Sequence, residues 1–122
     1  AEKFSSIVDW SDRATCILFG DGAGAAVISA TTNKDEGFVD IHASADGSYW
    51  DFLITPSPGS VNPATKAAIE QGLQYVKMKG NETFKLAVKT LTKDVKDILT
   101  KNNLNPSDIP HFVPHQANYR II

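Results

Sequence analysis

Seven apolar residues between positions 84 and 99 constrain the fold of this chain more than anything else in it. Phe84, Ala87, Val88, Leu91, Val95, Ile98 and Leu99 recur at the helical period, while Lys85, Lys89, Lys93 and Lys96 fall on the opposite side of the same cylinder. The pattern predicts a long amphipathic helix, capped by Asn81 after Gly80 and ended by Asn102-Asn103, with its apolar face packed on a sheet. Pro106-Ser107-Asp108 then turns the chain. Ile109, Phe112 and Val113 have the character of a buried strand, which Pro114 must end because it lacks the N–H that a ladder requires. Helix, loop and buried strand in that order predict α/β layering.

A strand ending at Pro114 puts His115 just past its C-terminal edge. Ligands bind outside that edge in open α/β sheets, so the imidazole of His115, the amides of Gln116 and Asn118 and the guanidinium of Arg120 together indicate a site. His111 and His115 also invite a metal reading. On a strand running into a loop their spacing of four does not place both rings on one face, and no acidic or cysteine partner is near in sequence, so no metal site is expected.

Upstream, Cys16-Ile17-Leu18-Phe19 is too short for periodicity to decide between a buried strand and one helical turn. Gly20, Gly22 and Gly24 imply close backbone approach, and residues 24–30 read as a central strand. The same glycines resemble half of a dinucleotide loop. That loop follows a strand and opens a helix, whereas these glycines lead into a strand, so packing is the better explanation. Residues 31–37 form a polar turn and residues 38–42 a half-buried strand, on which His42 is structural or solvated. Asp46-Gly47-Ser48 turns the chain again, and residues 52–55 are a short strand. Residues 56–63 make a proline-rich loop, the best internal boundary, before a helix over 64–77 that Gly72 weakens; Ala68, Ile69, Leu73 and Val76 share its face.

Composition excludes several function classes. The chain has 122 residues, 42% hydrophobic and 21% charged, which suffices for a globular core. A net charge of −2 without a basic stripe argues against nucleic acid as a partner. The single cysteine, Cys16, excludes an internal disulfide and a cysteine-rich zinc site and fits a reducing cytoplasm. The first ten residues carry no apolar run of the signal-peptide kind, and no apolar stretch approaches the roughly 20 residues that span a bilayer. Cys16 lies in an apolar run, where burial raises a thiol's pKa, so packing is expected of it rather than nucleophilic attack. Arg13 has acidic neighbours in Asp9 and Asp12, with which a surface ion pair is the alternative to a ligand-binding role.

Several short motifs resemble one family when taken together. Asp12-Arg13-Ala14-Thr15, Leu18-Phe-Gly-Asp-Gly-Ala-Gly-Ala-Ala26, Ala45-Asp46-Gly47, Met78-Lys-Gly-Asn81 with Phe84-Lys85, and Pro114-His-Gln-Ala-Asn118 with Arg120-Ile-Ile122 look like β-ketoacyl-acyl carrier protein synthase III. They occur in the family's order across essentially the whole chain. Residues 57–77 resemble it least, and Ala14 stands where many members carry glycine.

The resemblance implies a fragment of a thiolase-like fold, layered αβαβα, with residues 1–63 ending the N-terminal half and 64–122 supplying a linker helix and the start of the C-terminal half. It implies decarboxylative Claisen condensation of a short acyl-CoA primer with malonyl-acyl carrier protein, the opening step of fatty acid synthesis, in a cytoplasmic homodimer without membrane or nucleic acid. Acyl-CoA is then a substrate and no cofactor is expected. His115 is the implied catalytic histidine. Arg13 is expected near the adenine end of coenzyme A, with Gly80, Phe84, Asn118 and Arg120 along the tunnel and its mouth, and Lys85 and Arg120 toward the carrier protein. The family's catalytic cysteine lies upstream of this segment and its asparagine downstream, so the segment alone is expected to be inactive and ordered only beside the rest of its enzyme or in a dimer. The alternative is a noncatalytic α/β module that binds coenzyme A or acyl carrier protein through Arg13, Lys85 and Arg120; nucleotide binding by residues 20–24 trails behind both.

Overall fold

A computed structural model describes residues 1–34 and 36–120. Ile121 and Ile122, which close the last motif, and Asp35 in the turn over 31–37 lie outside the described residues. The regular elements are β1 (Glu2–Lys3), α1 (Arg13–Cys16), β2 (Asp21–Gly22), β3 (Leu53–Ile54), α2 (Lys66–Glu70), β4 (Lys77–Met78) and α3 (Gly80–Lys101). They fall into two compact units, one made of Ala1–Ala25 with Asp46–Phe84, the other of Ala26–Ala45 with the chain from Lys85 onward.

The first unit holds both sheets. β1 and β2 pair antiparallel with Glu2 opposite Gly22, and β3 pairs with β4 with Leu53 opposite Met78. At the start of β2 the Asp21 carboxylate accepts from the Ser5 hydroxyl at 2.6 Å and the Ser5 N–H at 2.8 Å, which holds its pKa below the ordinary value. The Phe4 and Phe19 rings stack at 4.6 Å. Val8 and Val76 are the most buried apolar residues, at 1% and 2% exposure, and the Val76 N–H donates to the Ile7 carbonyl at 2.8 Å. Burying two branched side chains around a satisfied amide gives this unit its centre.

Two expectations resolve here. Of the run from Cys16 only Cys16 is helical, as the last residue of α1, and Ile17 and Leu18 form an exposed turn after it; Asp12 caps α1 by accepting from the Ala14 N–H, and the buried Thr15 hydroxyl donates to the same carboxylate at 2.7 Å. The helix over 64–77 shrinks to the five residues of α2, which Thr65 caps. Gly72 stops it by adopting φ of +68°, a left-handed conformation that ends helices, and Ile69 is left exposed. Ala68 is buried as expected. Residues 56–63 carry no regular element, and Asp46 accepts from the Ser48 N–H in a short 3-10 turn.

The second unit is organised on α3 from Lys85 onward, and the helix matches the sequence pattern in stripe and length. The helix begins at Gly80, so Asn81 stands inside the first turn rather than capping it. At the far end Asn103 takes φ of +54° and the Leu104 N–H returns to the Leu99 carbonyl at 2.9 Å, which terminates the helix where the asparagine pair predicts. Lys93 pairs with Asp97 one turn on. Lys101 and Asn102 both reach Asp40, and His42 Nε2 lies 3.7 Å from Asp94 Oδ1, so the segment over 38–42 is tied to α3 by polar side chains.

Three expected strands are not formed. Residues 24–30, 38–42 and 109–113 carry no ladder among the described residues, and Val27, Phe38, Val39 and Val113 are 97%, 78%, 78% and 85% exposed. A strand exists only where a neighbour takes up its N–H and C=O groups, and no described segment pairs with these. The consequence reaches α3, which buries none of its residues: among the described residues the second unit, which holds the helix from Lys85 onward, has no sheet to receive the apolar stripe. The close approach implied by the glycines is likewise not made: a Cβ at Gly20, Gly22 or Gly24 meets no atom within 4 Å.

Candidate active-site and coenzyme A residues

Arg13 is the first residue of α1 and is exposed. The ion-pair alternative is not what the structure contains. Asp9 is engaged by the Ser11 hydroxyl at 2.6 Å and faces Lys77 at 3.7 Å, and Asp12 is occupied in capping, so the Arg13 guanidinium makes no hydrogen bond or ion pair among the described residues. Among the described residues its guanidinium donors are free. Cys16, at the end of α1, is a half-buried free thiol.

Gly80 and Phe84 lie one turn apart at the start of α3, and Lys85 follows on the exposed side. A Cβ at Gly80 meets only the Met78 Cε at 3.7 Å, an ordinary contact, so the backbone at this point is open to a ligand. Glu82 stands in the same first turn, where a negative charge favours the helix dipole. Two residues without a role in the sequence pattern, Asp51 and Lys79, sit beside this turn. Lys79 Nζ lies 2.5 Å from Asp51 Oδ2 and 5.7 Å from the centre of the Phe52 ring. Lys79 stands within the Met78-Lys-Gly-Asn81 motif, but its partner lies 28 positions away and no periodicity links the two.

His115, Asn118 and Arg120 are exposed on a run without regular structure, so His115 does not follow a strand edge here. Local hydrogen bonds shape the run instead. The Gln116 amide donates to the Pro114 carbonyl at 3.1 Å, and Asn118 Oδ1 accepts from the Arg120 backbone N–H at 2.9 Å in an Asx turn. The imidazole of His115 makes no hydrogen bond among the described residues. Arg13, Gly80 and Phe84 belong to the first unit, and Lys85, His115, Asn118 and Arg120 to the second.

Comparison with known proteins bears on the same motifs. The family profile described as 3-oxoacyl-[acyl-carrier-protein (ACP)] synthase III matches residues 1–47. The chain is 74% identical over 122 residues to the β-ketoacyl-[acyl-carrier-protein] synthase III of Sulfurovum sp. (strain NBC37-1), covering 100% of this chain and 36% of that protein. Its identity to the protein of the same name from Aliarcobacter butzleri (strain RM4018) is 62% over 122 residues, covering 100% of this chain and 37% of the relative. The crystal structure of 3-oxoacyl-(acyl carrier protein) synthase III from Pseudomonas aeruginosa PAO1 superposes with a TM-score of 0.77 at 37% identity, over 97% of this chain and 34% of that one. Backbone agreement at that level makes this a mixed helix-and-strand part of a thiolase-like fold. The family to which the chain belongs, as a segment, is β-ketoacyl-acyl carrier protein synthase III. The segment spans about a third of the length of the relatives it matches.

Proposed function

We propose that the chain is part of a condensing enzyme, an acyltransferase that joins a short acyl-CoA primer to malonyl-acyl carrier protein and so initiates fatty acid synthesis. The observation that carries this reading is the 74% identity to a β-ketoacyl-[acyl-carrier-protein] synthase III along the entire chain. The chemistry assigns a task to His115. Loss of carbon dioxide from the malonyl thioester leaves the bonding pair as an enolate, with negative charge on the thioester oxygen, and a neutral imidazole donates a hydrogen bond to that oxygen. The enolate carbon then attacks the acyl thioester of a cysteine, whose thiolate leaves; the resemblance places that cysteine, and a second donor asparagine, outside this segment.

The substrate positions are those the resemblance implies, and the exposed cations and open backbone at Gly80 support them. Arg13, with no protein partner among the described residues, meets the adenine end of coenzyme A, while Gly80, Phe84, Asn118 and Arg120 line the path of its arm. Lys85 and Arg120 are exposed positive charges suited to an acidic carrier protein. Residues 1–63 and 64–122 are assigned to the two halves of the fold, in a homodimeric enzyme of the cytoplasm that takes acyl-CoA as substrate and uses no separate cofactor. Among the described residues no helix is long and apolar enough to cross a membrane.

The full-length protein, given labelled acetyl-CoA and malonyl-acyl carrier protein, is expected to form a β-ketoacyl-acyl carrier protein with release of carbon dioxide. The 122-residue segment is expected to form none and to leave Cys16 unacylated. Label on Cys16 would move the nucleophile into this chain, and coenzyme A binding without turnover by the full-length protein would favour a noncatalytic module.

A further inference from the structure

Gly80 gives the start of α3 an open backbone but no side chain to anchor it, and helix ends fray where their first N–H groups lack partners. The anchoring comes from the residue before it. The Lys79 N–H donates to the Phe52 carbonyl at 2.9 Å, continuing the pairing of β3 with β4 by one position, and the Thr83 hydroxyl reaches that same carbonyl at 3.3 Å. The Thr83 N–H closes the first helical turn on the Lys79 carbonyl at 2.9 Å. The Lys79 ammonium lies 2.5 Å from Asp51 Oδ2 and 5.7 Å from the centre of the Phe52 ring, which itself packs at 5.1 Å from Tyr49. Ion pair, ring and carbonyl thus converge on one lysine from the single segment 49–52.

We propose that Lys79 is a positioning residue for coenzyme A: clasped by Asp51 and Phe52, it holds the first turn of α3 so that Gly80 and Phe84 are presented in one place. The proposal rests on the reading that this turn meets coenzyme A. Its physical basis is preorganisation, since a frayed turn must be ordered at the expense of binding when the ligand arrives. The carboxyl of Asp51 is held below its ordinary pKa by the Lys79 ammonium, so the clasp remains charged at neutral pH. Both side chains stay partly exposed, 50% for Lys79 and 36% for Asp51, which keeps the effect moderate.

The test compares the full-length protein with Lys79→Met and Lys79→Arg, reading amide hydrogen exchange at residues 80–84 together with KM for acyl-CoA and kcat. Lys79→Met keeps the aliphatic stem and is expected to speed exchange in the first turn and to raise KM about two- to fivefold, the size an exposed ion pair carries, with kcat unchanged. Lys79→Arg is expected to restore both. Exchange unaltered by Lys79→Met overturns the clasp. Phe84→Ala separates this outcome from a failure of the coenzyme A reading. A KM raised by Phe84→Ala but not by Lys79→Met overturns the positioning role, and a KM raised by neither removes coenzyme A from this turn and the proposal with it.

Discussion

Lys101 Nζ lies 2.8 Å from Asp40 Oδ2, a pairing across 61 positions of sequence. Asn102 donates to the same oxygen at 2.9 Å and the Ile41 N–H to Oδ1 at 2.8 Å. Together the Lys101 and Asn102 side chains and that backbone N–H lower the Asp40 pKa from 3.8 to about 2.

The sign of the resulting pH dependence follows from the depressed value. A carboxylate that is more acidic in the folded state contributes stability above its unfolded pKa and loses it as pH falls toward the folded one. In the full-length protein the stability gap between the parent and Asp40→Asn should therefore be full above about pH 4 and close as the pH approaches 2. Denaturant midpoints of both proteins at about pH 5 and about pH 2.5 measure it, and a gap that stays constant across this window would show that Asp40 titrates normally.

His115→Ala in the full-length enzyme should impair malonyl decarboxylation far more than acylation of the catalytic cysteine. Removing one donor from a developing oxyanion costs on the order of 100- to 1,000-fold in rate. Rapid-quench measurement of acyl-enzyme formation beside release of carbon dioxide separates the two steps; equal losses would mean that the imidazole acts on the nucleophile.

Packing supplies a third contrast. Val76 is 2% exposed and Val27 is 97% exposed. Val76→Ala should destabilise the full-length protein by about 1–3 kcal/mol, the transfer and cavity cost of a buried branched side chain. Val27→Ala should cost a comparable amount only where residues 24–30 find sheet partners. On its own the 122-residue chain, with Val27, Ile28, Phe38, Val39 and Ile41 exposed, is expected to associate in sedimentation. A cooperatively unfolding monomer would show that the chain needs no other part of its enzyme.

What the amino-acid order settled was whatever depends on neighbours close in the chain. The stripe from Phe84 to Leu99 and the stop at Asn102-Asn103 predict α3 nearly to the residue, because helix hydrogen bonds and caps join positions only a few apart. The same holds for the turn at Asp46, the 3-10 turn at Pro106–Asp108 and the stop at Gly72, whose consequence for α2 is larger than propensity suggests. The motifs around Gly20 and His115 identified the family for a related reason: a string of residue types is itself the signal, whatever its surroundings.

Tertiary structure decided everything that needs a distant partner. Residues 24–30, 38–42 and 109–113 have the composition of strands, yet a ladder is a property of two segments and none of these has a described partner, so among the described residues they stay unpaired and α3 from Lys85 onward has no sheet in its unit to cover. In the other direction, β3 pairs with β4, Asp51 meets Lys79 and Asp40 meets Lys101 across 28 and 61 positions, and nothing in the order of residues announces those meetings. Local spacing is written in the chain. Which unpaired N–H, carboxylate or ammonium finds which partner is settled only when loop closure brings remote segments together and the hydrogen bonds and ion pairs formed there outweigh the entropy of ordering them.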